Sequence, residues 1–379
     1  MVCFMGNIPE KSACSGLRRL EPAMELCAVP GDYIINMTKR EHGRVESNFL
    51  LHGLKIRNDT DAPVTLVSID LELYAGDAFV KQVTYRGKAL RHAVERFARD
   101  CTWLGEGFGA QLYLGREGFW TPLKYSESVD LAPGAETGLF NEYFVVVHTE
   151  RLDRMCLSVT CASNGIEQRA EMSLALVHYE NRNQYIFPLK GCYSTCGNYN
   201  ALLDHRQHFS MEFAIDMAQY NEEQKLFFKE PMRTEDHIVY GREILAIADG
   251  VVADCFGSIP VTTSWVWEER KPYFEQYGLA AQFGNHVILE HANGESSFYG
   301  HMMLDSVTVA KGDVVRQGQV IGRVGHTGLS NCPHLHFQLM DKPNLLTGRG
   351  LPCSFTNLRD VTNQPLERIL DDNLIVHAE

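Results

Sequence analysis

The sequence predicts a mainly β protein: an N-terminal β-sandwich, immunoglobulin-like, followed by a C-terminal antiparallel β-sheet, barrel-like domain. Three observations predict it. The chain has 379 residues, more than one ordinary core organises, so two domains are expected. Apolar and polar residues alternate with period two through segments rich in β-branched and aromatic side chains. Clusters of Gly, Asn, Asp and Pro punctuate those segments at short spacing, as in a sandwich.

The elements follow in order. Residues 1–30 mix Gly, Pro, Cys and charge and are expected to form a loosely tied arm. A β pattern starts at Asp32. Residues 51–57 alternate, 58–63 supply turn residues, 64–74 alternate at length, and 79–85 follow the turn at 75–77. Residues 88–100 break the rhythm: Leu90, Val94 and Phe97 form a helical stripe with Arg and Glu opposite, so one amphipathic helix is expected. Strands resume at 139–149, 155–161 and 171–177, completing a sandwich over 31–180. The polar run 181–184 marks a boundary. A glycine-rich β domain occupies 185–345, and 346–379 is a C-terminal extension with a helix expected after Leu358.

Composition excludes several function classes. The formal charge of -13 argues against a nucleic-acid backbone as partner. No apolar run is long enough to span a bilayer. Residues 1–16 lack a basic start followed by an apolar stretch, so no secretory signal is read there. Eleven cysteines, an odd number without a regular framework, read as reduced thiols. The expected location is therefore cytoplasmic, or the cell envelope if a leader has been removed. Gly105, Gly107 and Gly109 do not fit a dinucleotide fingerprint.

The chemistry concentrates near the C-terminus. On a strand, His334 and His336 point to one face while Leu335 and Phe337 point to the other. Two adjacent imidazoles can hold a metal and a proton at once, the means of a zinc hydrolase. Upstream, Phe213-Ala-Ile-Asp216 ends a short apolar strand in a carboxylate. Residues 243–253 read as a hairpin turning at Asp249-Gly250. Residues 286–291 form a strand before Asn293-Gly294, with His286 and His291 expected on its surface.

Tyr299-Gly-His301-Met302, the glycine-punctuated run 311–322 and Pro333-His-Leu-His-Phe337 together resemble the lysostaphin-type, or LytM, zinc metallopeptidases. The resemblance covers about residues 185–341. It implies a grooved antiparallel β fold holding one zinc ion, and hydrolysis of peptide bonds in peptidoglycan. It also implies that Asp216 and His336 are metal ligands, that His334 is the general base and that His301 stabilises the oxyanion.

The sequence departs from the family pattern at the first ligand. The family's histidine stands four positions before the aspartate, and that position here is Glu212. His205, His208 and Glu212 are the candidates to replace it. Either histidine needs the chain to fold back around Ser210-Met211. Cys332 stands where a small residue is usual, open to packing, redox or ligand roles. The stretch 255–284 is an insertion whose Trp265, Trp267, Tyr273 and Tyr277 either line the substrate groove or, the preferred reading, pack the insertion. Cys192 and Cys196 lack the second pair that a structural zinc site needs. Two other functions compete: a catalytically decayed binding or regulatory module, suggested by Glu212, and a cytoplasmic peptide or amide hydrolase, suggested by the missing signal.

Overall fold

The computed structural model describes residues 24–104, 114–115, 125–196, 205–221, 223, 225–228, 233–261, 267–366, 368 and 374–378. The N-terminal stretch 1–23, the glycines at 105, 107 and 109 and Trp265 lie outside the described residues. No helix among the described residues is long and apolar enough to cross a membrane.

The chain is mainly β. Its N-terminal half forms two sheets. In the first, the long strand Arg44–Asn58 pairs with Met37–Glu41 and Met24–Val29 along one edge and with Glu136–His148 along the other. The second runs Tyr33–Ile35, Ile166–Val177, Arg154–Ser163, Val64–Ala75, Ala78–Arg86. Strand alternation turns one face of each sheet inward. Phe49, Leu51 and Leu54 from the first share one core with Ile69, Leu71, Leu157 and Leu174 from the second. The helix Lys88–Leu104 lays Leu90 and Val94 on that core, and Phe97 on Val29 and Phe140. Gly138 leaves room for the paired strand and for this ring, since a Cβ there would overlap the Leu54 carbonyl and lie 3.0 Å from Phe97. Met24–Val29 lies inside the stretch expected to be an arm. It is a paired strand because Met24, Ala28 and Val29 are apolar enough to be buried.

Among the described residues, the C-terminal half forms a ten-stranded sheet and a separate two-stranded one. The centre of the larger sheet runs Asn285–His291, Ser296–Met302, Leu335–Met340, Ile215–Gln219, Gly191–Cys196. Tyr299, Leu335, Phe337, Ile215 and Met217 belong to the core on one face. Phe298 and Met340 join Met211, Phe283 and Ile288 in a cluster on the other. A sheet covered on both faces has no solvent side for alternate residues to occupy. His286 and His291, expected at the surface, are accordingly 5% and 4% exposed. His286 gives its Nδ1–H to the Gly284 carbonyl (2.9 Å), and His291 bonds the Asp249 carbonyl (2.9 Å) and Ser297 Oγ (2.8 Å).

Two further expectations are corrected. The hairpin at Asp249-Gly250 does not form: Glu243–Leu245 pairs with Val320–Arg323, whereas Gly250–Phe256 pairs with Asn285–His291 and Val314–Val315. The segment between them crosses from one sheet to the other, and Asp249 accepts Gln317 N–H (2.8 Å) and Arg316 Nη1–H (2.7 Å) instead of closing a turn. In the C-terminal extension, where a helix is expected, Leu358–Asp360 and Leu374–Ala378 are strands, the second paired with Gly191–Cys196, and residues 367 and 369–373 lie outside the described residues. Val376 and Ala378 are buried and His377 exposed, the period of a strand. The insertion carries two short helices, Trp267–Tyr277 and Ala280–Phe283. Tyr273 stacks on Tyr277 (6.3 Å between centroids), which meets the edge of Phe256 (5.9 Å).

The polar run 181–184 is fastened down. Glu295, fully buried, accepts hydrogen bonds from Tyr179 (2.9 Å), Tyr185 (2.7 Å), Asn183 (2.7 Å) and the Arg182 N–H (2.9 Å). A buried carboxylate needs such a set of donors to remain folded inside.

Candidate metal centre

The ladder register brings the first two residues together. Asp216 lies directly opposite His336, and His336 lies opposite Gly300 on its other side. Opposed residues of an antiparallel pair project from the same face, a few ångströms apart. The flanking Leu335 and Phe337 go to the core, so Asp216 and His336 meet on the other face, with His336 Nδ1 3.0 Å from Asp216 Oδ1.

His205 arrives by a different route. It opens a single tight turn, His205–Gln207, and a succession of turns then reverses the chain before the Ile215–Gln219 strand. The bonds are His208 N–H to the His205 carbonyl (2.9 Å), Met211 N–H to the His208 carbonyl (3.1 Å) and Ala214 N–H to the Met211 carbonyl (2.8 Å). His205 Nε2 thereby comes 3.7 Å from Asp216 Oδ2, and its ring stands edge-on to His336 at 4.7 Å. One ligand atom from each of His205, Asp216 and His336 falls within 4.8 Å of the others. Neither His208 nor Glu212 joins this group. Glu212 turns away, 3.2 Å from His52 Nε2 and 3.7 Å from an Arg206 nitrogen, all three buried.

His334 immediately precedes the Leu335–Met340 strand and places Nε2 3.5 Å from Asp216 Oδ1. His301 reaches the cluster through a bulge. In a regular strand it would share the face of Tyr299, whose ring is in the core. Gly300 and His301 instead oppose the single His286, and His301 takes a left-handed backbone (φ 57°). A bulge of this kind re-aims a side chain. The imidazole of His301 comes to lie 4.7 Å from that of His334 and 5.8 Å from that of His336.

Hydrogen bonds fix where the protons are. Gln338 donates its amide N–H to the Ser210 carbonyl (3.1 Å), which leaves its oxygen facing His336 Nε2 (2.9 Å). Nε2 therefore carries the proton and Nδ1 the lone pair. His334 gives its Nδ1–H to the Cys332 carbonyl (2.7 Å), and His301 its Nδ1–H to the Thr327 carbonyl (2.7 Å). In their neutral forms, His334 and His336 then both aim lone pairs at an anionic oxygen. Acceptors facing acceptors at these distances call for a positive charge between them, either a metal ion or a proton taken up by His334, which the Asp216 carboxylate favours. A His-Asp-His set with an open side is also the donor chemistry of a catalytic zinc site, so the residues fit that ion. The open side lies at Asp216 and His205, whose side chains keep 19% and 12% of their surface, against 3% for His336.

The electrostatics agree. Burial would raise the Asp216 carboxyl, but His205, His334 and His336 outweigh it and hold it far below the usual carboxylate range. Burial lowers His334, and the Asp216 charge overcomes this and raises it to about 9. Burial, then the other two imidazoles, push His301 well down. Burial likewise lowers His336.

Sequence reasoning missed several residues around the cluster. Gln338 stands two positions after His336 on the same strand face, a periodicity that could have flagged it. Ser330 donates to the Cys332 carbonyl (2.7 Å) and accepts from His326 Nδ1 (3.0 Å), bracing the same carbonyl that holds His334. Cys332 thus contributes its backbone, and its thiol is outside the ligand group. His52 and Arg206 carried no local signal, since the His52–Glu212 contact joins residues 160 apart.

Residues 237–347 match the model of Peptidase family M23. The DD-carboxypeptidase/endopeptidase Mpg of Neisseria meningitidis serogroup B is 46% identical over 61 residues, 16% of this chain and 14% of that protein. The peptidoglycan DD-endopeptidase ShyA of Vibrio cholerae is 42% identical over 82 residues, 22% of this chain and 17% of that protein. Lysostaphin of Staphylococcus staphylolyticus is 40% identical over 67 residues, 18% of this chain and 13% of that protein. The chain thus spans under a fifth of the length of each of these relatives. The solved structure of the antimicrobial peptidase lysostaphin from Staphylococcus simulans is 23% identical, covers 45% of this chain and 48% of that one, and has a TM-score of 0.23. Residues 237–347 thus carry a match to peptidase family M23, and the relatives similar to this part of the chain include lysostaphin.

Proposed function

We propose that this chain is a zinc-dependent endopeptidase that hydrolyses peptide bonds in peptidoglycan, and hence works in the cell envelope. The observation that carries the proposal is the convergence of His205, Asp216 and His336, with the His336 lone pair turned inward by Gln338. Relatives named as peptidoglycan DD-endopeptidases support the substrate class.

His205, Asp216 and His336 would hold one zinc ion, which when bound lowers the pKa of water and polarises the scissile carbonyl. His334 has its Nδ1–H committed to the Cys332 carbonyl, so Nε2 is the atom that takes a proton from the attacking water and returns it to the leaving amine. His301 has its Nδ1–H on the Thr327 carbonyl. Its Nε2 donates only when the ring is protonated, a form that negative charge developing on the carbonyl oxygen favours. Gln338 and the Cys332 carbonyl hold His336 and His334 in the required tautomers.

Metal analysis of the purified protein, together with digestion of cross-linked peptidoglycan fragments by wild type and His334→Ala, tests the proposal. Stoichiometric zinc, and cleavage lost in His334→Ala, are expected. A zinc-loaded protein that cleaves no peptide bond would leave a binding module in the enzyme's place.

A further inference from the structure

Only one of the three residues that converge lacks the support of the sheet. Asp216 and His336 are locked by ladder bonds to each other's strands, whereas His205 sits on a three-residue turn outside any strand. A turn so short cannot hold itself in place. The residues that follow His205 are gripped from the N-terminal sheets. Arg206, fully buried, donates to Asn48 Oδ1 (3.2 Å) and lies 5.7 Å from the Tyr143 ring, and Asn48 in turn donates to the Tyr143 hydroxyl (2.7 Å). The same guanidinium faces Phe213 (5.1 Å) and Glu212 (3.7 Å), and Glu212 is bonded to His52 (3.2 Å). Gln207 accepts from Asn141 Nδ2 (3.4 Å).

Building on the zinc reading above, we infer that the N-terminal sheets are a working part of the metal centre. Asn48, His52 and Tyr143 clamp Arg206 and Glu212, and the clamp positions His205 for the ion. Glu212 occupies the place where the family pattern has its first ligand, and here its carboxylate secures the turn that presents His205. Arg206, Glu212 and His52 are positioning residues and touch neither substrate nor the reacting atoms.

The test uses the full chain, with zinc affinity measured by chelator competition, the visible spectrum of the cobalt-substituted protein, and the melting temperature of the metal-free form. Glu212→Gln keeps the shape and removes the charge; Arg206→Lys keeps the charge and removes the planar fork. Each is expected to weaken zinc by roughly 10- to 100-fold, the range for groups that orient a ligand, and to alter the cobalt spectrum. Asn183→Ala, which removes one donor to Glu295 outside the clamp, is expected to leave zinc affinity unchanged. If His52→Leu fails to fold, Glu212→Gln still decides the matter. Wild-type zinc affinity and an unchanged cobalt spectrum in the clamp variants, with affinity lost in His205→Ala, would overturn the inference and leave the zinc reading standing. A wild-type chain that binds no zinc would remove both.

Discussion

His336 and His205 approach the same carboxylate from opposite kinds of structure. His336 is in a central strand, paired on both sides, with its tautomer set by a residue two positions away. His205 is on a turn and depends on partners more than a hundred positions away in sequence, such as Asn48, 158 residues from Arg206. In the metal centre proposed above, the support would thus be half local and half global. A sheet fixes one side through its own hydrogen bonds, and a second layer of protein fixes the other.

The largest expected effect falls on the strand-borne side. Asp216→Ala or His336→Ala should reduce bound zinc from stoichiometric to background, read by atomic absorption, because each removes one of the three converging ligands. His334→Ala should keep the ion and lower the cleavage rate by about 10²- to 10⁴-fold, the usual worth of a general base, which separates binding from chemistry. Zinc at a hundredfold excess over its dissociation constant should stabilise the folded chain by about 2.7 kcal/mol, seen as a rise in melting temperature that a chelator reverses. Gln338→Leu should weaken zinc by about 10- to 100-fold without changing the ligand set, since His336 is no longer held in one tautomer. His208→Ala should matter least, within about 0.5 kcal/mol in zinc affinity, because its imidazole is not in the ligand group. A large loss in His208→Ala with none in His205→Ala would reverse the assignment and break the contrast between the two sides.

What the sequence revealed follows the same division. Asp216, His334 and His336 stand out because strand alternation tells which side chains share a face. His301 stands out by its motif, although its position depends on a bulge that period-two reasoning does not show. The choice among His205, His208 and Glu212 stayed open because turns carry no period. The partners that draw Glu212 away, His52 and Arg206, are identified only once the two halves are packed together. The buried state of His286 and His291 was hidden for a related reason, since burial on the second face depends on what covers the sheet. Asp249-Gly250 has the composition of a hairpin turn, yet long-range pairing with the 316–319 turn overrides it.

The carboxylate of Glu295 has a practical consequence for anyone who would divide this molecule. Residues 179–183 look like a place to cut, yet they supply Tyr179, Arg182 and Asn183 to that anion. A fragment beginning at Tyr185 would leave an acid in the interior with most of its donors gone, at a penalty on the order of 1–3 kcal/mol for each group left unsatisfied. Such a fragment would lose stability for reasons unrelated to catalysis, and its inactivity would say nothing about the proposed function.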